Sequence, residues 1–259
     1  MKKLFQAVSA VKYCLTASHR KGFGVQSPFV FHLLNHVFFE KGKYYCYDKI
    51  EAIRTKFLSD KKVVQLVDYG TGKSRSRTVA DIARKSVKSK KYAQLLFRLV
   101  NFNHSRTIFE LGTSLGISTM YLASADFDSK VITMEGDPTL CKMARKTFKD
   151  NGFHNINVIN GNIDSILAET VASVETLDFV FFDANHTKQA TLNYFQTCLP
   201  KIHKNSIFVF DDIRWSADMW SAWNTIVEHP SVRLAIDVGG MGAVWFNTDL
   251  TKQQYVVAF

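Results

Sequence analysis

A chain of 259 residues that is 46% hydrophobic and 22% charged has the composition of an ordinary globular protein, long enough for one large domain or a domain with an extension, and this excludes disorder. No run approaches the ~18 apolar residues of a membrane span, and Gln6, Ser9 and Lys12 interrupt the apolar start after Lys2-Lys3, so neither an anchor nor a signal peptide is expected and the chain reads as cytoplasmic. The net charge of +10 is unevenly spread: residues 1–107 hold 22 Lys/Arg against 6 Asp/Glu (+16), residues 108–259 hold 11 against 17 (−6).

Such a basic half suits an anionic substrate, RNA or a membrane surface, or is a solvated face that aids solubility. Taken in chain order, helical periodicity runs over residues 3–17, 27–39, 47–59, 78–87 and 90–102. In the first of these Leu4, Val8, Val11 and Leu15 recur at spacings of four, three and four, the mark of an amphipathic helix. Residues 65–69 form a short strand candidate. No repeat or low-complexity linker intervenes, so residues 1–102 are expected to be a basic, mainly helical N-terminal cap on a domain spanning 103–259. Cys14, Cys46, Cys141 and Cys198 match no zinc or redox spacing and read as buried thiols of a reducing compartment.

From residue 107 the pattern changes. Strand candidates at 107–111, 130–135, 156–160, 177–183 and 206–211 alternate with helical stretches near 116–126, 138–151, 164–173 and 187–199. This alternation predicts a mostly parallel sheet with helices on both faces. A further helix at 216–228 precedes two strands, 232–238 and 243–247. Gly239-Gly240-Met241-Gly242 between them is too short for a helical crossover, so that pair is expected to be antiparallel. The fold class is therefore α/β and Rossmann-like: a mostly parallel seven-stranded sheet with an antiparallel last strand, plus a helical N-terminal extension.

Ligands of open α/β sheets bind beyond the carboxyl ends of the strands. The first strand of this series ends Glu110-Leu111-Gly112-Thr113-Ser114-Leu115-Gly116-Ile117-Ser118. Gly112 and Gly116 permit a tight turn and close backbone approach to a ligand, while Ser118 and the free amides of the next helix can bind a carboxylate. The second strand ends in Glu135, 25 residues after Glu110, where a carboxylate can accept both hydroxyls of a ribose. The third ends Asn160-Gly161-Asn162-Ile163-Asp164, suited to covering and hydrogen-bonding an adenine. Each feature has a plainer alternative: Glu135 as a surface acid, Asn162 as a turn former. Together, at three successive strand ends, they favour a nucleoside cofactor.

With these motifs, segment 107–247 resembles the class I S-adenosylmethionine-dependent methyltransferases, and among them is similar to the catechol-type O-methyltransferases. The resemblance implies S-adenosylmethionine as cofactor, held by Glu110, Gly112, Ser114, Gly116 and Ser118, with Glu135 on the ribose and Asn162 and Ile163 at the adenine. Ser114 stands where many class I members have glycine; the catechol-type subgroup is often non-glycine there. Two other loops compete. Asp68-Tyr69-Gly70-Thr71-Gly72-Lys73-Ser74 looks like a nucleotide loop, but Val67 occupies the position where a P-loop needs its first glycine. A nicotinamide dehydrogenase would share the ribose acid, but acids at the later strand ends argue against it.

Those acids lie in Phe182-Asp183-Ala184-Asn185-His186 and Phe210-Asp211-Asp212. Carboxylates ending adjacent strands repel unless a cation sits between them, and Mg²⁺ suits oxygen ligands. The catechol-type resemblance implies such a site, with Asp183, Asp211 and Asp212 as ligands and Asp212 in place of the usual Asn. It also puts His186 where the family has its catalytic lysine. Histidine titrates near neutrality and suits a general base. The plainer reading has Asp183 orienting the cofactor while Asp211 and Asp212 cap the next helix.

The sulfonium is already an activated leaving group, so the protein must align an acceptor and remove its proton. Trp215, Met219, Trp220 and Trp223 either wall an acceptor pocket or pack the core. The leading expectation is O-methylation of a small-molecule acceptor, by an enzyme whose relatives are often homodimers. Two alternatives remain open: an RNA methyltransferase using the basic half, although no Asn-Pro-Pro-Tyr motif is present, and a non-catalytic cofactor-binding module.

Overall fold

The protein is described by a computed structural model covering residues 2–67 and 74–259. The elements run α1 (Lys2–Thr16), α2 (Pro28–Leu33), α3 (Tyr47–Ser59), β1 (Val63–Val67), β2 (Ser74–Thr78), α4 (Val79–Ser86) and α5 (Lys90–Asn103). They continue β3 (Thr107–Leu111), α6 (Ile117–Ala123), β4 (Lys130–Glu135), α7 (Pro138–Asp150), β5 (Ile156–Asn160) and α8 (Ile163–Ala172). The last are β6 (Phe179–Phe182), α9 (Lys188–Cys198), β7 (Ile207–Asp211), α10 (Ala217–Glu228), β8 (Leu234–Asp237), β9 (Met241–Trp245) and β10 (Gln253–Val256). The glycine-bearing turn 68–73 weighed above lies outside the described residues. The helix expected over 27–39 is in two parts, because α2 gives way to a π-helical turn at 34–38.

Two compact units emerge from the contacts, Gly42–Ile166 and Met1–Lys41 with Leu167–Phe259. In the first, β3, β4 and β5 are parallel neighbours in register, with Glu110 opposite Thr133 and Glu135 opposite Asn160. β1 and β2 form an antiparallel hairpin beside α7: Val67 N donates to Asp137 Oδ2 at 2.6 Å and Thr139 Oγ1 to the Gln65 carbonyl at 3.1 Å. Asp137 also caps α7 by accepting from Leu140 N at 2.9 Å, with Pro138 at the first helical position. The apolar seam of this unit gathers Val64, Val79, Ile82, Ala83 and Leu140 around Leu115, from the glycine-rich turn. Residues of the N-terminal hundred thereby help to hold the turn that was singled out as a ligand loop.

The second unit holds β6 and β7 as parallel neighbours, then β9 antiparallel to both β7 and β8, then β10 parallel to β8. Phe179–Phe182 and Ile207–Asp211 are buried at every position, as strands covered on both faces should be, so they show no alternation. The antiparallel pair 232–238 and 243–247 is borne out as β8 and β9. One correction concerns the strand count. Among the described residues eight strands, β3 to β10, follow residue 106 instead of seven, and the reversed strand β9 is not the last, because Gln253–Val256 adds a further one. That segment's polar Gln253-Gln254 and half-exposed pattern carry no strong strand signal; pairing to β8 creates the strand. Met219 and Trp223 belong to the core, and Trp223 lies so close to β9 that a Cβ on Gly242 would meet its ring at 2.5 Å.

A buried ion pair ties the β7–α10 turn to β8. Arg214 Nη2 donates to Asp237 Oδ2, Gly239 N donates to Asp237 Oδ1 at 2.7 Å, and Arg214 Nη1 donates to Ser9 Oγ at 3.2 Å. The Asp237 side chain is fully buried, and the guanidinium also lies 4.2 Å from the Trp220 ring. Removing one member leaves the other buried and uncompensated. Arg214→Ala is therefore expected to lower unfolding free energy by about 3–5 kcal/mol, read from urea denaturation at neutral pH; a loss under about 1 kcal/mol would mean that water replaces the guanidinium.

Candidate active site

The glycine-rich turn of the first unit is an alternating left-handed backbone: Gly112, Ser114 and Gly116 have φ of +106°, +49° and +79°. At Gly116 a side chain is doubly excluded, since a Cβ would lie 2.4 Å from Phe148 Cζ. Ser114 is a residue with a Cβ in a region that disfavours one, and it is held there by Glu135. The carboxylate that closes β4 accepts from Ser114 N at 2.8 Å through Oε2 and from Asp137 N at 2.9 Å through Oε1. Burial raises the pKa of Glu135, opposed by these backbone donors. The acid picked out by its strand-end position and the turn picked out by its glycines are thus one hydrogen-bonded object.

Glu110 is fully buried on β3. Its Oε2 accepts from Thr119 Oγ1 and, at 2.7 Å, from Thr133 Oγ1. Burial pushes its pKa up to about 7; the nearby hydroxyls of Ser118, Thr119 and Thr133 oppose the shift, and the Glu135 charge adds to it. Glu110 Oε1 and Ser114 Oγ are buried with no hydrogen-bond partner among the described residues. Buried polar atoms left this way are uncommon unless something polar binds against them. Ser118 is buried in the first turn of α6, a helix shorter than the expected 116–126. Asn162 caps α8: its Oδ1 accepts from Asp164 N at 3.0 Å and its carbonyl from Ser165 N and Ile166 N at 2.9 and 3.1 Å. Ile163 beside it is buried.

In the second unit Asp183, His186 and Asp211 offer ligand atoms that all lie within 4.8 Å of one another. His186 Nε2 is 3.7 Å from Asp183 Oδ1 and 3.8 Å from Asp212 Oδ2. The backbone turns sharply at both strand ends, with φ of +46° at Asn185 and +53° at Asp212, and Asn185 Nδ2 donates to Tyr194 OH at 2.5 Å. Asp212 N donates to the Gly240 carbonyl and its own carbonyl accepts from Trp215 N, both at 2.8 Å. Asp183 and Asp211 of the expected ligand set lie in this group together with His186, and Asp212 flanks the imidazole. Sequence reasoning assigned His186 to proton transfer and did not consider it as a ligand, although its spacing of three from Asp183 was the available signal. Trp215 is half-exposed under the Lys2 ammonium at 3.9 Å.

The mostly parallel strands with their intervening helices have the Rossmann-like fold of solved O-methyltransferases. Residues 109–213 match the family model described as a methyltransferase domain. A catechol O-methyltransferase of Niastella koreensis is 30% identical over 126 residues, which are 48% of this chain and 55% of that protein; the chain thus spans about half the length of the curated relative. Two solved structures share the fold. One is the O-methyltransferase from Bacillus cereus in complex with SAH (20% identity, TM-score 0.57, covering 79% of this chain and 92% of that one). The other is the O-methyltransferase TomG from Streptomyces achromogenes in complex with SAM (19%, 0.56, 78% and 98%). The resemblance to methyltransferases is thus borne out over residues 109–213, which match that domain.

The raised pKa of Glu110 has a stability consequence. Its value in the fold, about 7, lies above the ordinary 4.5, so its favourable contribution is complete below pH 4.5 and is lost as pH rises to 7. The loss is at most roughly 3–4 kcal/mol at 1.36 kcal/mol per pH unit. Glu110→Gln should flatten the wild type's decline in melting temperature between these pH values; parallel profiles for the two proteins would show that Glu110 is ionised throughout.

Proposed function

We propose that the protein is an S-adenosylmethionine-dependent methyltransferase acting on a hydroxyl of a small-molecule acceptor. The observation that carries this reading is the bond from Ser114 N to Glu135 Oε2, which fixes a carboxylate beside the glycine-rich turn. Glu135 keeps lone pairs on both oxygens for the ribose hydroxyls, and the unpartnered Ser114 Oγ and Glu110 Oε1 supply further polar atoms, so the residues fit the cofactor. When bound, the cofactor supplies an activated methyl group. Asn162 and Ile163 are assigned to its adenine, in keeping with their place after β5.

On the acceptor side, Asp183, His186 and Asp211 are the residues that would hold a divalent ion, and an ion there would lower the pKa of an acceptor hydroxyl. Two carboxylates and an imidazole make a mixed donor set. This favours a transition metal such as Mn²⁺ over Mg²⁺, which prefers oxygen alone. Without an ion, His186 between Asp183 and Asp212 is placed to accept the acceptor's proton, and its carboxylate neighbours stabilise the resulting imidazolium. Three free thiols, Cys46, Cys141 and Cys198, are buried, which supports a reducing, cytoplasmic setting. Among the described residues no helix is long and apolar enough to cross a membrane.

Calorimetry with S-adenosylhomocysteine tests the cofactor half. Glu135→Ala removes a charge-assisted acceptor worth about 1.5–3 kcal/mol, so affinity should fall roughly 10- to 100-fold; an unchanged affinity refutes the ribose assignment. Mn²⁺ titrated into the protein tests the other half. Binding that weakens at least about tenfold in both Asp183→Asn and His186→Ala is expected if the imidazole is a ligand. If Mn²⁺ binding survives His186→Ala while turnover collapses, His186 is the base rather than a ligand.

A further inference from the structure

The first helix is built inside out. Its inward face is polar and firmly anchored: Gln6 Nε2 donates to the Trp215 carbonyl at 3.0 Å, Ser9 Oγ accepts from Arg214, and Tyr13 OH donates to the Val257 carbonyl at 2.6 Å. The stripe that periodicity marked as the packing face points to solvent instead. Leu4, Val8, Val11 and Leu15 are 71%, 58%, 60% and 81% exposed. At 3.6 residues per turn these four side chains fall within about 60° of arc. A contiguous apolar stripe left in water on an anchored helix marks an interaction surface.

Charge says what that surface meets. Residues 1–39 contain Lys2, Lys3, Lys12, Arg20 and Lys21 and no acid; the first in the chain is Glu40. Lys3 and Lys12 flank the stripe on opposite sides, and all five cations are exposed. A second copy of the same face would set lysines against lysines. An apolar stripe bordered by cations is instead complementary to acyl chains beneath anionic headgroups. We propose that α1 docks the protein peripherally on an anionic lipid surface, with Leu4, Val8, Val11 and Leu15 entering the interface and Lys3 and Lys12 against the headgroups.

The test is co-sedimentation of the full chain with phosphatidylcholine vesicles, with and without phosphatidylglycerol. Binding to the anionic vesicles at about 0.1 M salt is expected, weakening about tenfold at 0.5 M as screening shortens the reach of the lysines. Val8→Gln combined with Leu15→Gln, and separately Lys3→Gln combined with Lys12→Gln, should each weaken it about tenfold. Because both pairs are exposed, their melting temperatures should match the wild type. An independent reading needs no substitution. Cys14 is exposed while Cys46, Cys141 and Cys198 are buried, so an environment-sensitive dye on Cys14 should shift to the blue with anionic vesicles alone. Three results would each overturn the proposal: no sedimentation and no shift, equal binding to neutral vesicles, or a concentration-dependent dimer without lipid binding that Val8→Gln with Leu15→Gln abolishes.

Discussion

The bond between the Glu135 carboxylate and the Ser114 amide organises the first unit's glycine-rich turn. It joins the end of β4 to a turn that would otherwise have to hold three left-handed residues within five positions, one of them not glycine. A left-handed non-glycine residue costs roughly 1–2 kcal/mol, and the charged acceptor offsets that cost. Leu115, buried among residues of β1, α4 and α7, anchors the same turn from its other side, and the absence of a side chain at Gly116 lets Phe148 close beneath it. The turn is thus preorganised, so little ordering would have to accompany ligand binding there.

The acidic group follows a different logic. Asp183 and Asp211 sit at the ends of β6 and β7, and the left-handed backbone at Asn185 and Asp212 turns each strand end so that His186 comes within reach of three carboxylates. Asn and Asp tolerate that conformation better than other side-chain-bearing residues, which accounts for both at these positions. Acids on neighbouring strand ends repel; an imidazolium or a divalent ion relieves the repulsion, and His186 can serve as the first or bind the second. Under the proposed function, Asp183, His186 and Asp211 would serve a metal-dependent or a metal-free route to a deprotonated acceptor.

Charge is partitioned along the chain as function would partition it. Most of the acids, 17 of 23, fall in the second half, from Glu110 onward, where the proposed cofactor and acceptor residues lie. The cations dominate the first half, where α1 turns its apolar stripe outward. A helix that exposes leucine and buries serine contradicts the ordinary distribution of residues, and the contradiction is resolved if its environment is not water alone.

The strands from 107 to 211, their parallel pairing within each unit and the glycine-rich turn were legible in the sequence, because strand–helix alternation and glycine spacing are local and periodic. So was Glu135, whose position at a strand end follows from where the apolar run stops. What the sequence could not convey depends on contacts between distant residues. Gln253–Val256 becomes a strand by pairing with β8, Leu115 acquires its partners from residues 50 positions away in β1, and His186 joins Asp183 and Asp211 through the turns at two strand ends. Periodicity located the apolar stripe of α1 but not the direction it faces, because an amphipathic pattern is the same whether the apolar side meets a core or an interface. That choice was made by Arg214, Trp215 and Val257, which bind the polar side of the helix and leave the other free.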